Sequence, residues 1–119
     1  MGKKTTLLAL TVVLLATPAT AEHIFVDTDI LYGWCKPYEV GDIGPGPLCA
    51  GYINAVADIL AHAVPIHDYR ACIPHTVSLN DIRTLVIKEW DPGGSHMSAH
   101  DWVAEVLAGA YPCIPANVQ

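Results

Sequence analysis

The sequence predicts an all-α fold: a compact four-helix domain stapled by two disulfides, after an N-terminal signal peptide. Three observations predict it. Apolar residues recur at helical spacings of three and four between proline and glycine stops. Two of these stretches open on Ser-x-x-Asp, the mark of a capped helix start. No stretch alternates apolar and polar residues long enough to argue for a sheet, and Ile24–Val26 is the only candidate strand.

Residues 1–21 read as the signal peptide. Lys3 and Lys4 precede an apolar run from Leu7 to Ala16, followed by Pro18 and then Ala19-Thr20-Ala21, which fits the small-x-small cleavage rule. The run is too short to span a bilayer. The expected mature domain is residues 22–119, exported to a compartment where thiols are oxidised. Without the leader, Lys36, Arg70, Arg83 and Lys88 face twelve acidic residues, a net charge of −8. Such a surface repels nucleic acid and anionic lipid, and leaves a basic protein partner or plain solubility as its uses.

Each helix has its own signals. Asp27 or Thr28 caps the first, which reaches about Cys35, and Val26 is placed to staple onto Leu31. Pro47 suits the first turn of the second, whose predicted apolar face is Cys49, Tyr52, Ile53, Val56, Leu60 and Val64. The third opens at Ser78-Leu79-Asn80-Asp81 with Val77 as staple. It buries Leu79, Ile82, Leu85, Val86 and the edge of Trp90, and ends at Asp91-Pro92-Gly93-Gly94. The fourth opens at Ser98-Ala99-His100-Asp101, turns Val103, Val106, Leu107 and Ala110 inward, and stops at Pro112.

Cys35, Cys49, Cys72 and Cys113 allow three pairings, and the residues alone leave all three open. The preferred set is Cys35–Cys49 with Cys72–Cys113, one short loop and one tie from the start of the second half to the C-terminal end. Loop entropy assigns these bridges about 3 and 4 kcal/mol, comparable to the whole stability of a small domain.

No residue pattern reaches an enzyme. His96 and His100 have metal-ligand spacing, but a cap at Ser98 leaves His96 in the loop, and the Glu of the hydrolytic metal helix is missing. His67-Asp68, between Pro65 and Pro74, reads as a turn cap. Disulfide formation leaves no thiolate for a Cys/His pair. Gly41–Pro47 is not a phosphate loop, since Pro45 and Pro47 offer no N–H and no Lys follows. No catalytic, metal or cofactor-binding residue is assigned. Of the three tryptophans, Trp34, Trp90 and Trp102, the last reads as core. Trp90, beside the exposed turn, reads as a core-edge residue or an interface anchor.

Cys49-Ala50-Gly51-Tyr52-Ile53-Asn54-Ala55-Val56-Ala57-Asp58, Cys72-Ile73-Pro74 and Ala108-Gly109-Ala110-Tyr111-Pro112-Cys113 together resemble the Rap/Tai family. Its members are small periplasmic immunity proteins that neutralise peptidoglycan amidase toxins delivered by type VI secretion. The resemblance implies an all-α disulfide-bonded domain over residues 22–119 and a cognate amidase effector as partner. The acidic surface adds the expectation of no nucleic acid, and no membrane is expected after signal cleavage; a homodimer is the other association considered. Tyr52, Asp58 and the cysteines match the shared pattern as scaffold, so no inhibitory residue carries over. The turn Trp90–His96, with Trp90, Asp91 and His96, is the expected toxin-binding surface. The alternative is a small helical periplasmic stress or chaperone protein driven by its six histidines, against which two disulfides would restrict opening.

Overall fold

The computed structural model describes residue 2 and residues 23–36, 46–92 and 97–114. Apart from Gly2, the expected signal peptide lies outside the described residues, as do Gly41–Pro45 and Gly93–His96. Four helices follow in order: α1 (Thr28–Cys35), α2 (Pro47–Ala61), α3 (Leu79–Lys88) and α4 (Ala99–Ala110). Among the described residues there is no strand, only isolated bridges pairing Asp27 with Ser98 and Ile66 with Tyr69. No described helix is long and apolar enough to cross a membrane.

Local chemistry sets the helix starts. The Asp27 carboxylate accepts the Ile30 amide at 2.8 Å, satisfying one of the orphan donors of α1. Pro47 occupies the first turn of α2, where a missing N–H costs nothing. Ser78 and Asp81 close a reciprocal capping box on α3: the Asp81 amide donates to the Ser78 hydroxyl and the Ser78 amide to the Asp81 carboxylate. Ser98 caps α4, taking the Asp101 amide at 3.4 Å.

The helix ends depart from expectation. The apolar spacing carries the second helix to Val64, yet α2 stops at Ala61 and Val64 is 52 % exposed. Ala63 takes a left-handed φ of 61° and the Val64 amide reaches back to the Ile59 carbonyl at 3.3 Å, a Schellman closure. Pro65 behind it cannot extend the helix. Leu79, expected inside, is half-exposed as the first residue of α3, and Ala110 is exposed at the last turn of α4.

Helix α2 is the hub, packing on each of the other three. Its Cys49, Ile53, Val56, Ala57 and Leu60 are buried against Leu31 of α1, Ile82 and Val86 of α3, and Val103 and Leu107 of α4. Each buried branched side chain contributes about 1.5–3 kcal/mol relative to exposure. Both bridges of the preferred pairing are present, Cys35–Cys49 with S–S 2.03 Å and Cys72–Cys113 with 2.05 Å. The first fastens α1 to α2. The second, reinforced by the Cys72 amide donating to the Tyr111 carbonyl at 2.8 Å, fastens the segment before α3 to the end of α4.

Candidate functional site

Past Lys88 the chain leaves α3 with its last amides turned back: Glu89 donates to Leu85 and Trp90 to Ile87. This sets the Trp90 indole flat on the Tyr32 ring of α1, centroids 3.5 Å apart and planes 7° from parallel. The Lys36 ammonium lies 5.4 Å from the centroid of the same Tyr32 ring. Trp90 is half-buried and held by a partner on another helix, so little freedom remains to be lost when a ligand contacts it.

Beside it runs a groove of about 440 Å³ with Trp90, Trp102 and Met97 as apolar walls and Glu89, Asp91 and Glu105 as carboxylates. Among the described residues no basic side chain lines it. Two indole rings and three carboxylates suit an inserted Lys or Arg, by cation–π attraction and charge-assisted hydrogen bonds. Of the expected contact residues, Trp90 and Asp91 come together here, and His96 lies outside the described residues. Trp102, read from sequence as core, is half-buried: it packs on the core and also lines the groove. Sequence reasoning missed Met97 and the support from Tyr32. Nothing local couples Tyr32 to Trp90.

At the other side of the α4 start, the Ile66–Tyr69 turn meets the helix. His67 Nδ1 lies 2.5 Å from Asp101 Oδ1, and His100 Nε2 lies 3.5 Å from the same oxygen. The partner of His67 is thus not its neighbour Asp68 but a carboxylate 34 residues on. Burial works to raise the Asp101 carboxyl, but hydrogen bonds from Ser98 and His67 and the adjacent imidazoles outweigh it and hold the group below its ordinary value. Partial burial raises the Tyr52 hydroxyl, opposed by a hydrogen bond with the backbone of His100. Ser98, His100 and Asp101 are the residue types of a hydrolytic triad without its connectivity. The hydroxyl and the carboxylate both approach the same His100 nitrogen, and the Ser98 hydroxyl donates to Asp101 at 2.7 Å.

Comparison with curated proteins and with solved structures finds no match. A family model does match. That of the Rap1a immunity proteins covers residues 27–113, from the cap of α1 to the last cysteine, and takes in all four helices and both disulfides. The chain belongs to the Rap1a immunity protein family.

Proposed function

We propose that this protein is exported, cleaved after Ala21, and acts in the periplasm by binding and inhibiting a secreted peptidoglycan amidase, with the Trp90 groove as part of the contact surface. Family membership supplies the coarser statement, an immunity function against a secreted toxin exercised by binding it. The finer reading is supported by the leader-like residues 1–21, the disulfides suited to an oxidising compartment, and the Rap/Tai-like motifs. The observation that carries it is the groove itself. Its preorganised indole and three carboxylates are complementary to a basic rim on a toxin cleft. The chaperone alternative has less support, because Cys35–Cys49 fastens α1 to α2 and Cys72–Cys113 fastens the segment before α3 to the chain just past α4, which restricts opening.

Pull-down with the product of the adjacent gene, followed by titration, tests the reading. Trp90→Ala with Asp91→Ala is expected to weaken toxin binding by more than about 2 kcal/mol while circular dichroism stays native. A double variant that folds and still protects cells at full strength would place the contact elsewhere. If the captured toxin does not cleave peptidoglycan amide bonds, the amidase reading fails.

A further inference from the structure

Three side chains with metal-binding atoms converge where the Ile66–Tyr69 turn meets the first turn of α4: His67, His100 and Asp101, each offering one donor atom, all within 4.8 Å of one another. They come from two parts of the chain, and each part is fixed. The turn is closed by two backbone hydrogen bonds between Ile66 and Tyr69, at 3.1 and 2.9 Å. The carboxylate is oriented by the Ser98 hydroxyl on Oδ2, which leaves Oδ1 facing both imidazoles. A hydroxyl holding a ligating carboxylate from behind is the outer support that metal ligands require.

We propose that His67, His100 and Asp101 form a binding site for a divalent transition-metal ion of the zinc class, joining the 66–69 turn to α4. The donor set chooses the class. Two imidazole nitrogens and one carboxylate oxygen suit Zn²⁺, Cu²⁺ or Ni²⁺, whereas Ca²⁺ and Mg²⁺ require cages of oxygen. A tetrahedral ion with bonds of about 2.0–2.1 Å holds its donors roughly 3.3–3.5 Å apart. One pair already has that spacing, 3.5 Å for His100 with Asp101, while His67 with Asp101, at 2.5 Å, must open by about 1 Å to reach it. The side chains that must adjust are the exposed ones, His67 and His100 at 68 % and 45 % accessible, while Asp101 at 20 % stays fixed. His67 Nδ1 gives up its hydrogen bond to Oδ1 when the ion takes that place; the neutral imidazole does so by carrying its proton on Nε2. Three protein donors leave the fourth position to water.

Charge favours a cation despite the opposing dipole at a helix start. Asp68 adjoins His67, and Glu105 follows Asp101 by one turn of α4. His62 and His75 are separate: His62 turns to Asp58, and His75 lines another groove.

The test is titration of the untagged full chain, both disulfides formed, with zinc chloride by calorimetry, and with Co²⁺ read by its visible bands. One ion per chain is expected. His67→Ala and His100→Ala should each weaken binding at least tenfold, and His75→Ala should leave it unchanged. Saturating zinc should raise the melting temperature of the wild type and not of the double variant His67→Ala/His100→Ala. Circular dichroism of each variant in the absence of metal separates loss of ligand from loss of fold. No binding by the wild type at millimolar zinc, or a natively folded double variant that binds within tenfold of wild type, overturns the site.

Discussion

Ala63 carries a φ of 61°, a backbone that a side chain bearing Cβ adopts at a cost of roughly 1–2 kcal/mol. Glycine is the usual occupant of that position in a Schellman closure. Ala63 is exposed, so its methyl group contributes little packing in return. Ala63→Gly is therefore expected to stabilise the protein by about 0.5–1 kcal/mol, after allowing for the greater entropy of glycine in the unfolded chain. A urea midpoint that falls would refute the assignment of left-handed backbone there. His67 shares this conformation, with φ 48°, but its imidazole has a use, since it holds Asp101.

The α3 cap gives a pH dependence with a definite sign. Hydrogen bonds from the Ser78 hydroxyl and amide hold the Asp81 carboxyl below its ordinary value. A carboxyl depressed on folding contributes stability that is fully present above its unfolded pKa, about 3.9, and lost as pH falls through the lower folded value. Asp81→Asn should therefore show a shallower loss of stability below about pH 4 than wild type in urea titrations across that range. Identical acid limbs would show that the box is not formed in solution. Caps of this kind were readable in advance because Asp27 with Ile30, Ser78 with Asp81 and Ser98 with Asp101 each bond three residues apart. Helix ends were not. The apolar spacing of α2 runs on to Val64, where Pro65 sets an outer limit, but the turn at Ala63, which the alanine itself does not announce, ends the helix at Ala61. The site divides the same way. Trp90 and Asp91 stood out beside a Pro-Gly turn, but the Tyr32 stack and the His67–Asp101 pair join distant parts of the chain, and periodicity carries no information about such contacts.

The two cross-links differ in shelter. Cys35 and Cys49 are 4 % and 0 % exposed, whereas Cys72 and Cys113 are both open to solvent. Thiol–disulfide exchange needs access to sulfur, so mild dithiothreitol under native conditions should open Cys72–Cys113 first. Alkylation and peptide mapping would read the order, and early labelling of Cys49 would contradict the packing. The bridges also enclose consecutive loops, spanning 14 and 41 residues with no overlap. Pulled from its two ends, the oxidised chain would pass force straight across each bridge. Helices α3 and α4 lie inside the longer loop and would bear no tension. Between Cys35 and Cys113 only residues 50–71 could lengthen, to an extended span of roughly 75 Å. That stretch is most of α2 and its exit, so the one elastic part of the cross-linked region is also its hub, and a force that begins to draw it out would disassemble the remaining helices in a single step.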